Sequence, residues 1–286
     1  MVEISAALVM KLRKISGQGM MDCKKALVET AGDIDEAMAL LRKKGLATLA
    51  KRAGRETTEG RVVCKKDSEH KTAALATLCC ETDFVTKSDD FGAAADALGE
   101  YLFTCDSDEG PENLLEAAVD GRKFSEVVTE AVSKTGEKIE VGDFTRYRIS
   151  GAGLIGTYVH FNDKVGAMVE IETDSDEAAK CLSPMATDIA MHVTAIKPAA
   201  VDSDSIDPAV VEREKEIAAD QMKNKPANII DKIIEGKMKK FFKEHCLVEQ
   251  PFVKDDSKTV AQVLAEAAKQ AGGQAKIKRF VRFEIG

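Results

Sequence analysis

Two segments of this chain follow one plan, and that plan narrows the folds open to it. In the first, Arg61–Cys64 and Lys71–Cys80 read as β-strands around the polar turn Lys65–His70, and the run closes on Glu81-Thr82-Asp83. In the second, Leu154–Phe161 and Val165–Thr173 flank the polar turn Asn162-Asp163-Lys164 and close on Glu172-Thr173-Asp174, at a constant offset from the first. A helical pattern follows each, Asp89–Phe103 in one and Pro184–Thr194 in the other. A strand pair with an apolar face needs a cover, and a helix next in sequence supplies one. The repeat therefore predicts two related α+β subdomains.

Around this core the patterning predicts three further parts. Ile4, Leu8, Leu12 and Ile15 recur at helical spacing before Gly17 and Gly19; a second short helix runs from Asp22 to Ala31; and Asp33 with Glu36 starts a third that Gly45 stops. Three helices in so short a span make a small bundle similar to ubiquitin-associated domains. Residues 46–60 read as a linker, which divides the chain into 1–54, 55–140 and 141–286. Within the last, Asp207-Pro208 opens an inserted helical hairpin over 207–243: Val210, Val211, Ile217 and Ala218 go out, Asn224-Lys225-Pro226 turns, and Ile229, Ile230, Ile233, Ile234 and Met238 return. Ser257 caps a helix containing Val260, Val263 and Leu264, and Ile277–Ile285 is a final strand.

The two repeats differ where the first turns into its helix. After Glu81-Thr82-Asp83 the first has Phe84-Val85; after Glu172-Thr173-Asp174 the second has Ser175-Asp176. A lone Phe at a strand-to-helix corner is more often core than contact. A residue serving only the shared core would have an apolar counterpart at Ser175, so its absence brings a specialised role for Phe84 to about even odds. Met20 and Met21 are open between bundle core and contact, and a lone helical histidine such as His192 is usually a satisfied, partly buried residue.

Enzyme signatures do not survive their context. Gly151-Ala152-Gly153-Leu154-Ile155-Gly156 spells a dinucleotide fingerprint but lies between two strands, where a turn and close strand packing explain it. Seven cysteines, with Cys79 and Cys80 adjacent and no Cys-x-x-Cys spacing, and four scattered histidines argue against a metal site. A net charge of −8 argues against nonspecific nucleic-acid binding, and the basic cluster Lys43, Lys44, Lys51, Arg52 and Arg55 reads as a solvated helix end. No apolar run approaches the ~18 residues of a membrane span. Met1-Val2-Glu3-Ile4-Ser5 has no signal-peptide character, so a cytoplasmic location is expected.

Three runs stand in a telling order: Gly19-Met20-Met21-Asp22-Cys23-Lys24-Lys25-Ala26-Leu27 with Gly32-Asp33-Ile34-Asp35-Glu36-Ala37; then Thr82-Asp83-Phe84-Val85; then Ile189-Ala190-Met191-His192-Val193 with Lys197-Pro198. In order and spacing they resemble the bacterial translation elongation factor Ts family, over essentially residues 1–286. The resemblance implies a guanine-nucleotide exchange factor for the GTPase elongation factor Tu, with no catalytic residues and no metal, cofactor or nucleotide of its own. It implies that Phe84, flanked by Thr82, Asp83 and Val85, enters between two helices of the GTPase. It further implies that Met20, Met21 and Lys24 touch the GTPase domain, and that His192 with the Val165-Gly166 turn meets the third domain. Val260 is a further contact, equally explained by packing. The hairpin matches the family's protruding coiled coil, with pairing of two copies left open. Some relatives in that family continue past the final strand into a C-terminal helix; this sequence, read to Gly286, is expected to lack it and to use its length between Thr104 and Arg122 instead. The competing reading is a helper that binds polypeptides or ubiquitin-like folds through its three-helix bundle.

Overall fold

A computed structural model of the chain describes residues 4–220 and 227–286. The chain opens with α1 (Ala6–Ser16), α2 (Met20–Glu29) and α3 (Ile34–Lys51). The Ser5 hydroxyl accepts from the Leu8 N–H to cap α1, left-handed Gly17 closes it, and Asp33 accepts from the Glu36 N–H to start α3. Val9, Leu12, Cys23, Leu27, Ala37 and Leu41 form a small core of their own.

Gly45 does not stop α3, which continues to Lys51. A Cβ at Gly45 would lie 2.8 Å from the Thr129 carbonyl oxygen and 2.9 Å from the Ser133 Cβ, so this glycine marks a close helix crossing and not a terminus. The segment read as a linker from residue 46 is therefore helical for its first six positions. Through α3 the bundle docks on the next unit: the Ser133 hydroxyl donates to the Leu41 carbonyl, and Arg42 pairs with Glu126 at 2.8 Å.

That next unit comprises β1 (Glu59–Lys66), β2 (Thr72–Cys80), the single turn α4 (Asp83–Thr86), α5 (Asp89–Tyr101), α6 (Pro111–Glu116), the two-residue strands β3 (Ala118–Val119) and β4 (Arg122–Lys123), α7 (Phe124–Thr135) and β5 (Ile139–Arg148). Its sheet runs β1-β2-β5, all antiparallel. β5 was not legible in advance: the pairing of β2 with β5 shifts register between Ala76 and Leu78, and the apolar alternation of β5 slips between Val141 and Phe144. α5 starts at Asp89, and the Ser88 hydroxyl caps it by accepting from the Phe91 N–H.

The second unit comprises β6 (Gly153–Val159), β7 (Val165–Thr173), α8 (Asp176–Ile196), α9 (Pro208–Asp220), α10 (Ala227–His245), β8 (Pro251–Phe252), β9 (Asp255–Thr259), α11 (Val260–Gln270) and β10 (Ala275–Glu284). Its sheet runs β10-β7-β6, so each unit is a β-hairpin, helices, and a third strand returning antiparallel to the middle one. Two boundaries differ from expectation. α8 starts at Asp176 with Ser175 as its cap, which leaves Pro184 inside the helix and not at its first turn. α11 is capped by Thr259 and Gln262 in a reciprocal capping box, while Ser257 belongs to β9. α9 and α10 pack together with Ala218 and Met238 buried. The hairpin turn Asn224-Lys225-Pro226 lies outside the described residues, and of Ile229 and Ile230 only the backbone is described.

The fold is α+β, and its layering follows from the pleat. Along β2, Ala74, Ala76, Leu78 and Cys80 face α5 and α7, whereas Ala73, Leu75 and Cys79 face the other sheet. β7 divides likewise: Ala167, Val169 and Ile171 face its helices and Met168 meets the first sheet. The result is helices, sheet, sheet, helices, with both middle strands buried on two faces. Between the sheets, Arg279 bonds the buried Glu170 at 2.6 Å and lies 3.9 Å over the Tyr147 ring. Gly156 lets β6 meet α8, because a Cβ there would sit 2.2 Å from the Ala186 carbonyl oxygen. The last glycine of the Gly-x-Gly-x-x-Gly run thus serves packing.

Candidate functional site

The Thr82–Val85 run occupies the corner between β2 and α5. β2 ends at Cys80, and residues 83–86 form one helical turn before Ser88 caps α5. Val85 points inward and is buried, while Phe84 is 81% exposed. Leaving a phenylalanine in water forgoes roughly 1.5–3 kcal/mol of burial. The turn that carries it is well tied. The Thr82 N–H and hydroxyl donate to the two oxygens of Glu137 at 3.0 and 2.7 Å. Glu81 accepts from Arg52 at 2.8 Å and from the Lys138 N–H at 2.7 Å. The Arg61 guanidinium donates to the Thr86 carbonyl at 2.6 Å. Asp83 faces solvent beside Lys87 at 2.7 Å, and that hydrogen bond holds its carboxyl below the usual carboxylate range.

A second exposed aromatic stands nearby. A shallow cavity of about 480 Å³ is bordered on one side by Asp83, Thr86 and Lys87 and on the other by Phe161, Asn162, Asp163 and Lys164. Phe161 is 88% exposed. Its turn is fastened to β1 by the Val62 N–H donating to the Asp163 carbonyl at 2.6 Å and by a Lys164–Glu59 ion pair at 2.6 Å. Sequence reasoning placed Phe161 at the end of a strand; β6 stops at Val159, and a Phe next to Asn162-Asp163 was the available signal.

The other expected contact residues fall into two groups. Met20, Met21 and Lys24 share an exposed face of α2, continued by exposed Val28, so the methionines are not bundle core. Val165 is half-buried at the start of β7. Gly166, His192 and Val260 are interior. A Cβ at Gly166 would lie 2.9 Å from Val62 Cγ1, so it serves close approach of the two sheets. His192 is fully buried against Phe252: the Val253 N–H donates to Nδ1 at 3.1 Å, and Nε2 lies 2.9 Å from the Gln250 side-chain oxygen. It therefore presents no surface of its own and instead fixes the Gln250–Val253 segment. Val260 packs in the second core. Among the described residues no group of His, Cys, Asp and Glu could hold a metal ion, and no helix is long and apolar enough to cross a membrane.

The family model described as "Elongation factor TS" matches residues 81–286, beginning at the first residue of the corner. The chain belongs to the elongation factor Ts family. Curated relatives agree over nearly full length. An elongation factor Ts of a Nitratiruptor species is 42% identical across 99% of this chain and 93% of its own. Those of Nitratidesulfovibrio vulgaris and Desulfovibrio desulfuricans are each 40% identical, covering 99% and 100% of this chain and 96% and 99% of theirs. The elongation factor Ts relationship thus extends over the N-terminal bundle as well as the two sheet units.

Proposed function

We propose that this chain is a guanine-nucleotide exchange factor that acts in the cytoplasm on elongation factor Tu, and that Phe84 is the wedge by which it promotes GDP release. The observation that carries the reading is a large aromatic side chain, 81% exposed, on a turn braced from three sides. Such a ring buries much area in a partner while freezing only two torsions. A GTPase holds its nucleotide through a phosphate-binding loop and Mg²⁺, so a ring driven between its helices disturbs that site without any chemistry by the factor. Met20, Met21 and Lys24, together on α2, provide a second point of attachment.

The test is stopped-flow release of labelled GDP from elongation factor Tu. Phe84→Ala should keep the wild-type melting transition, because the side chain is 81% exposed, and should lose at least about 2 kcal/mol of productive binding, as truncated hot-spot aromatics do. That is a slowing of roughly thirtyfold at sub-saturating factor. Release at the wild-type rate from a folded variant sinks the wedge.

A further inference from the structure

We infer that Glu137 is a positioning residue for the Phe84 corner, an inference that rests on the wedge reading above. Thr82 is the N-cap of α4, where a threonine hydroxyl ordinarily bonds a helix N–H; here it makes no such bond. Both of its donors go instead to the Glu137 carboxylate. Glu137 follows Gly136, whose left-handed backbone ends α7 and turns the chain toward β5. The neighbouring pair closes the joint from the other direction, since the Lys138 N–H donates to Glu81. Residues 81–82 and 137–138 are therefore cross-tied, each supplying one carboxylate to the other. Arg52, at the end of α3, adds a bond to Glu81. A wedge displaces a partner's helices only if its own support gives less than they do, and bracing before contact avoids ordering the turn during it. Neither carboxylate touches the partner in this scheme; both act through the backbone that carries the ring.

The experiment uses the full-length chain and four variants: Glu137→Ala, Glu137→Gln, Phe84→Ala and the double variant Phe84→Ala/Glu137→Ala. GDP release is followed to saturating factor, and backbone amide hydrogen exchange is measured on each free protein. Glu137→Ala should lower the maximal release rate by about tenfold or more, as misplaced contact groups do. The amides of residues 82–84 should exchange faster while β2 and α5 keep their protection. Glu137→Gln should recover most of the rate, because its amide oxygen accepts from the Thr82 N–H and its NH₂ donates to the Thr82 hydroxyl. Glu137→Ala should add nothing in the Phe84→Ala background, since both changes act through one ring. If Phe84→Ala is slow but Glu137→Ala releases GDP at the wild-type maximum, Glu137 has no positioning role and the wedge stands. If Phe84→Ala itself is wild type, the wedge falls and this inference with it. Loss of β2 protection in Glu137→Ala, with no rescue by Gln, reduces Glu137 to a fold-stabilising residue and overturns the proposal.

Discussion

His192 illustrates how much a single side chain can be committed before any partner arrives. Its Nδ1 accepts a backbone N–H, so the neutral ring carries its proton on Nε2, facing the Gln250 oxygen. Burial pushes its pKa below the ordinary value near 6.5, with the Gln250 bond partly opposing. The sign follows from linkage. The unfolded chain takes up a proton as pH falls through about 6.5 while the folded ring resists, so this contribution is complete above that pH and is lost as pH drops toward the folded pKa. His192→Leu should thus be less stable than wild type at pH 7 by about 1–3 kcal/mol, the cost of stranding the Val253 N–H and the Gln250 oxygen. It should also lose less than wild type between pH 7 and pH 5. Thermal melts at the two pH values check both, and parallel pH profiles would refute the assignment. The partners that bury His192 lie about sixty residues away, so burial was the expectation for a lone helical histidine but its partners could not be read from its own helix. Phe84 was more legible, because turn residues on both sides and Ser175 in the other repeat already set it apart. Ser175 nevertheless turns out to be a helix cap, which accounts for its polarity without reference to Phe84.

At the scale of elements, glycine carries information that local patterning misreads. Gly45 looks like a helix stop and is a crossing point of α3 with α7; Gly156 looks like part of a cofactor loop and is the contact of β6 with α8. Alanine at Gly156 would press a Cβ against backbone with no compensating gain, whereas alanine at Gly45 gains about 1 kcal/mol of helix propensity against an overpacking cost of about 1–3 kcal/mol. Gly54, with nothing within 4 Å of a built Cβ, is the control. Melting temperatures should therefore rank Gly156→Ala lowest, then Gly45→Ala, then Gly54→Ala close to wild type. A Gly45→Ala protein as stable as the control would mean that α3 is not seated on α7 as described. The same contrast explains which elements could be read. β1, β2, β7, β10 and the three bundle helices announce themselves by period and caps. β5 hides behind a register shift, and the start of α8 is masked by Pro184, a residue that ordinarily opens helices.

For the whole molecule, exchange is a statement about coupled equilibria. A factor that weakens nucleotide binding must itself bind more weakly when nucleotide is present, by the same factor. Calorimetric titration of this chain against nucleotide-free and GDP-loaded elongation factor Tu should show tighter binding to the former, with Mg²⁺ widening the gap. Equal affinities would leave no free energy to expel GDP. The layered fold suits this task, because the corner and the Phe161 turn are both tied to β1, through Arg61 and Val62, and the end of α3 is tied to the corner through the Arg52–Glu81 pair.

Each unit also stores its extra length in the same slot, between its first and last long helices: α6 with the β3–β4 ribbon in one, α9–α10 with β8–β9 in the other. The ribbon's tip, Asp120-Gly121, is exposed, and both residues adopt left-handed backbone suited to a tight reversal. A small fluorescent domain spliced between them would ride on the outer surface and leave the strands of both sheets uninterrupted. The chain thus comes with a ready attachment point for an optical reporter, through which its arrival at and departure from a partner can be watched one molecule at a time.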